Sequence, residues 1–171
     1  MTLNPLLRMR PLEFRVWHKP TQRMYPVHSI CFEDETITHQ LDGDASIEQW
    51  DDVYESPFKF HECELLQFTG VLDCEGNKIF EGDILYYSCI LDDPDEDEDP
   101  LYEHHAVIQF MHGAFGELQF YPLEPIQTLA AMQSVISEGY DYRRIIGNVF
   151  ENFNLLPDYV KEKFLSEAVA V

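Results

Sequence analysis

Hydrophobic and polar residues alternate with a period of two along much of this chain, the spacing of a half-buried strand. Leu12, Phe14 and Val16 alternate with Glu13, Arg15 and Trp17. Residues 24–39, MYPVHSICFEDETITH, predict two further short strands around a Glu33-Asp34-Glu35 turn. Residues 40–57 are polar and acidic, broken by Gly43 and Pro57, and read as a long excursion. In ELLQFTGVLDCEGNKIFEGDILYYSCIL (64–91), Asp73 to Asn77 is rich in turn formers, and Gly76 supplies the positive φ of a tight hairpin. A second turn follows at Glu81-Gly82-Asp83. Ile84 to Leu91 is then apolar at nearly every position, which predicts a strand covered on both faces.

Further on, two alternating segments flank His112 to Gly116 and predict a hairpin. Pro125 opens a predicted helix, with Ile126, Leu129, Gln133 and Ile136 at three-four spacing and Gly139 as its stop. RRIIGNVF is a further strand, and Pro157 starts a second helix with an apolar stripe of Val160 and Phe164. The fold class predicted is mainly β: an SH3-like or partly open small β-barrel with added hairpins and two helices near the C-terminus. Its parts are an arm (1–11), a β domain (12–153) with acidic insertions near 40–57 and 92–104, and a helical appendage (154–171). No internal repeat is present.

Charge changes the picture. The chain has 32 acidic and 11 basic residues among 171, a net charge of −21. From Met24 to Tyr142 there are 27 Asp or Glu against Lys59 and Lys78, a local balance of −25. Such a field repels phosphate backbones and anionic membranes, so direct nucleic-acid and membrane binding are disfavoured and basic proteins favoured. Cys31, Cys63, Cys74 and Cys89 form no C-x-x-C pair, and the N-terminus has no signal-like apolar run; reduced thiols in the cytoplasm are expected.

Candidate chemistry is sparse. Asp92, Asp93, Asp95, Glu96, Asp97, Glu98 and Asp99 place seven carboxylates in eight positions. Asp95, Asp97 and Asp99 have the spacing that begins a calcium loop, but Pro100 replaces its glycine and Ala106 its bidentate Glu. His104 and His105 would face opposite sides of a strand, so sharing a zinc ion with His112 is disfavoured. His61 and Cys63 would share one face but lack a second ligand pair. Glu81 and Asp83 could act as an acid pair, although E-G-D is equally a turn in which Asp83 binds its own backbone. No nucleophile motif or phosphate loop is present, and no cofactor or metal is predicted. The aromatics Tyr86, Tyr87, Phe110, Phe115, Phe120 and Tyr121 read as core or as a protein-binding face.

Three blocks, in order, resemble the YopX family of phage and prophage proteins. The first has Phe14, Arg15 and Trp17 in an F-R-x-W opening. The second runs from Gln67 to Ile84 and contains Gly70, Asp73, Gly76, Glu81, Gly82 and Asp83. The third runs from Ile146 to Asn152, with Gly147, Asn148, Glu151 and Asn152. The resemblance implies a predominantly β fold and a role inside a bacterial host, and it supplies no catalytic residues. The block residues are expected to be structural.

The favoured reading is a non-enzymatic accessory protein binding a basic host or phage protein through an acidic surface. Asp51 and Asp52 join the 92–99 run in that surface, which would present carboxylates in place of phosphates or oppose a defence component. The alternatives are a small-molecule or nucleotide-processing enzyme with its site in the barrel, and a virion or assembly component. Homo-oligomerisation through β edges is also expected.

Overall fold

The computed structural model describes residues 11–39, 56–90, 101–111, 113–120, 128–131 and 142–168. Eleven strands and one α-helix occur among them. They are β1 (Phe14–His18), β2 (Arg23–Cys31), β3 (Thr36–His39), β4 (Phe58–Lys59), β5 (Cys63–Leu72) and β6 (Lys78–Phe80), then β7 (Asp83–Ile90), β8 (Leu101–Met111), β9 (Ala114–Phe120), β10 (Thr128–Ala131) and β11 (Tyr142–Asn148). The helix is α1 (Asp158–Ala168). The chain divides into two compact units, Met1–Gly70 and Val71–Val171, with the boundary inside β5.

The described residues form a mainly β fold of two antiparallel sheets, and no closed barrel occurs among them. Their strand orders are β4-β3-β2-β1-β5-β6 and β10-β9-β8-β7-β11. Closure requires the terminal strands of a sheet to pair with each other, and in neither order do they meet.

In the first unit the sheet curls back on itself without closing. Phe58 of the edge strand β4 stacks on His18 of β1, with ring centroids 3.7 Å apart, and on His39 of β3 at 4.0 Å. Around this stack lie the buried Val16, Ile37 and Cys63, with Tyr25 and Val27 packed against them. Alternation on β1 and β2 sends Val16, Tyr25 and Val27 to this interior. Pro26 cannot donate a ladder hydrogen bond, and the β2–β3 register shifts between Val27 and Ser29 just after it.

The second unit covers its five-stranded sheet differently on each face. Ile84, Val107 and Phe120 meet Leu156 and the α1 residue Val160 on one side. Leu85, Tyr87, Ala106, Ile108 and Phe115 gather with Ile79 on the other. Successive β7 residues therefore point into two cores, as the unbroken apolar run from Ile84 requires. Pro157 precedes α1, and its carbonyl accepts N–H groups of the first helical turn, from Val160 and Lys161, each at 3.0 Å.

The helix expected from Pro125 to Gly139 is contradicted where it is described: Thr128–Ala131 is strand β10, paired with β9 from Thr128↔Gln119 to Ala131↔Gly116. Pairing with the β9 edge outweighs the three-four spacing of the local sequence. The rest of that segment lies outside the described residues. Among those described, α1 is the single α-helix, and no helix is long and apolar enough to cross a membrane.

Candidate functional site

The turn after β5 is organised by one carboxylate. Asp73 Oδ1 accepts the backbone N–H groups of Glu75 (2.9 Å) and Asn77 (2.8 Å). Its Oδ2 accepts the Asn77 side-chain amide at 3.1 Å and, 72 residues away, the backbone N–H of Ile145 at 3.3 Å. The Cys74 N–H donates to the Arg143 carbonyl at 2.8 Å. Both long-range bonds engage the outer edge of β11, which ends its sheet, so the turn occupies backbone groups that would otherwise be open to another strand. Burial pushes the Asp73 carboxyl up, but the Asn77 side chain and the Asn77, Ile145 and Glu75 backbone donors outweigh it and hold the pKa below its usual value.

The E-G-D segment is a turn. Asp83, fully buried, accepts the Phe80 N–H at 2.8 Å. Gly82 has φ +79° and joins two neighbours, donating its N–H to the Ile108 carbonyl and accepting from the Val149 N–H, both at 2.8 Å. One oxygen of Asp83 thus serves its own turn, the backbone role that the E-G-D spacing also allowed.

The third block winds into a turn of the same kind. Asn148 Oδ1 accepts from the Phe150 and Glu151 N–H groups, and its amide donates to Glu151 at 2.6 Å. Asn152 Oδ1 accepts the Asn148 N–H at 3.2 Å. A Cβ on Gly147 would lie 2.6 Å from that oxygen, so the close approach requires glycine.

The sequence reading missed a polar group inside the second unit. Glu117 of β9 and Arg143 of β11 are both buried and meet at 3.1 Å. Strands β8 and β7 lie between theirs. At about 4.8 Å per strand the two backbones would be ~14 Å apart on a flat sheet, so both side chains lie across a concave face. Arg143 pairs in register with Tyr87, and Tyr87 with His104. The guanidinium lies 5.3 Å from the Tyr87 ring centre, and the His104 ring stacks on Tyr87 at 4.5 Å. Gln119 donates to the second Glu117 oxygen at 3.4 Å. A signal was present: Glu117 shares the strand phase of Phe115, and Arg143 that of Ile145, so each charge occupies a core position.

The histidine candidates separate. His104 lies on the Tyr87 face, whereas His105 stacks on Phe120 at 5.7 Å on the other. His112 is outside the described residues. Phe60–Glu62 forms a 3-10 turn and not a strand, which leaves His61 exposed while Cys63 is buried. That breaks the expected same-face pair. Among the described residues no group of three or more His, Cys, Asp or Glu is placed to hold a metal ion.

The sequence pattern of the family described as YopX protein matches residues 13–157. This chain belongs to the YopX family. A search of curated proteins gave no match. Among solved structures, the crystal structure of protein EF1440 from Enterococcus faecalis is similar at 24% identity and a TM-score of 0.49, covering 87% of this chain and 100% of that one.

Within the YopX match, Phe14, Arg15 and Trp17 lie on β1, with Trp17 buried, and Gly70 lies in β5 at φ +89°. Asp92 to Asp99, with Asp51 and Asp52, lie outside the described residues. The strands flanking the run are described: β7 and β8 pair in register to the end, at Ile90↔Leu101. The ten residues between them, seven of them acidic, therefore connect adjacent antiparallel strands.

Proposed function

We propose that this YopX protein acts without catalysis, binding a basic protein inside a bacterial cell through the acidic connection between β7 and β8. One observation carries the reading: pairing up to Ile90↔Leu101 anchors both ends of a segment holding seven carboxylates at one end of a sheet. Fixed ends lower the entropy lost when such a segment is ordered by a partner. The charge selects a cationic surface and rejects nucleic acid. The connection holds seven carboxylates within eight consecutive positions, a density of negative charge that suits a surface built to hold phosphates. A protein that normally grips nucleic acid is the partner class this charge density suits.

Among the acids of the YopX block, Asp73 accepts backbone N–H groups on both oxygens and Asp83 accepts the Phe80 N–H on Oδ2, which favours a structural role for these two over the enzymatic alternative.

The test is capture of partners from bacterial lysate in about 0.1 M and 1 M salt, where the Debye length falls from ~10 Å to ~3 Å. A partner held at low salt, released at high salt, and lost when Asp92 to Asp99 are changed to Asn and Gln supports the reading. Capture insensitive to both changes overturns it.

A further inference from the structure

The turn between β2 and β3 holds an aromatic ring out in water. Phe32 is 80% exposed, the highest value among the exposed large hydrophobic residues described. Its ring is nonetheless braced. Phe60 meets it edge to face at 6.0 Å, and the Phe60 N–H donates to the Glu35 carbonyl at 2.9 Å. Cys31 Sγ donates to Asp34 Oδ2 at 3.3 Å. The next three residues, Glu33, Asp34 and Glu35, are all exposed. The neighbouring strand adds one cation, Lys59, opposite Thr36, so the tip keeps a negative balance.

Ring and charge together limit what can cover this tip. A polyanion is repelled, and an uncharged apolar surface would shut three carboxylates away from water without partners. A cation satisfies both features, since the face of an aromatic ring attracts positive charge and carboxylates pair with it. A guanidinium suits them better than an ammonium, because it is planar, stacks on rings and forks onto carboxylates.

We propose that the Phe32–Glu35 turn is a docking tip for an arginine-bearing segment of a partner protein, its guanidinium lying on the Phe32 ring and pairing with the adjacent carboxylates. This rests on the reading above that the partner is basic, and adds a contact separate from the 92–99 run.

The experiment uses the full chain and two labelled probes, nona-arginine and nona-lysine peptides, with binding followed by fluorescence anisotropy. Phe32→Leu keeps apolar area but removes the ring, whereas Phe32→Tyr keeps the ring. Because Phe32 is exposed, both variants should unfold at the wild-type temperature, which is checked first. The expected result is nona-arginine binding weakened about two- to fivefold by Phe32→Leu, close to wild type for Phe32→Tyr, and a smaller effect on nona-lysine. Phe32→Leu binding nona-arginine like wild type overturns the proposal, as does an equal loss for both peptides.

A third variant, with Asp92 to Asp99 amidated, separates the two readings. If it loses binding while Phe32→Leu does not, the acidic connection stands and the tip falls. If Phe32→Leu loses binding while the amidated variant does not, the tip stands and the acidic connection falls. Wild-type protein that binds neither peptide overturns both.

Discussion

Arg143 reaches Glu117 at 3.1 Å over two intervening strands, and both side chains are buried. Removing one partner leaves the other buried charge without this counter-charge. Glu117→Gln and Arg143→Met should each cost about 3–5 kcal/mol in urea unfolding. The double variant Glu117→Gln, Arg143→Met should cost well below the sum, because neither charge of the pair then remains. Additive losses would show that the two groups are not energetically coupled.

Asp73 ties its own turn to β11, and its depressed pKa gives that tie a pH signature. A carboxyl with a folded pKa below its unfolded value of about 3.8 contributes stability that is complete above that value and is lost as pH falls through the folded one. Asp73→Asn should cost roughly 1–3 kcal/mol at pH 7, through weaker acceptors and the loss of one for Ile145. The gap from wild type should narrow below about pH 3.8. Urea titrations at pH 7, 4 and 3 measure it, and a gap independent of pH would exclude the carboxylate as its source.

What could be read from the chain follows the range of the forces involved. The turns at Asp73 to Asn77 and Glu81 to Asp83 were legible because Gly76 and Gly82 meet a local demand for positive φ. The strand from Ile84 was legible because a run apolar on both phases needs cover on both faces. Strand β10 was not, since Thr128–Ala131 fits a helical spacing locally and becomes a strand through β9, a non-local partner. The division into two antiparallel sheets reflects the same limit: it depends on which distant strands meet, and no local pattern records that. The buried pair lies between these cases. Glu117 and Arg143 each break a core phase visibly, but only the order β9-β8-β7-β11 identifies them as partners.

Gly147 and Gly76 need glycine for different reasons, and their alanine variants should separate. At Gly147 a Cβ would come within 2.6–2.8 Å of the Asn152 side chain, which is held by the Asn148 N–H. Gly147→Ala should cost about 1–3 kcal/mol by overpacking, and Asn152→Gly should recover part of that in the double variant. At Gly76 nothing lies within 4 Å, but φ is +86°. Gly76→Ala should cost about 1–2 kcal/mol as backbone strain, with no recovery by Asn152→Gly. Thermal unfolding of the four variants distinguishes a clash from a dihedral penalty.

Thiol reactivity offers a check on the first unit's core that is independent of unfolding. Burial pushes the Cys63 thiol from 9.0 up to about 11; Glu62 adds to the shift, Lys19 opposes it and Glu64 adds a little more. Alkylation requires thiolate, and this shift alone leaves about a hundredfold less of it at pH 8. Cys74 is exposed and Cys31 partly so. Timed iodoacetamide labelling at pH 8, mapped by peptide mass, should modify Cys74 early and leave Cys63 unmodified until denaturant is added. Cys63 labelling at the Cys74 rate in native conditions would mean that the core around Val16, Ile37 and Phe58 opens far more readily than its packing implies.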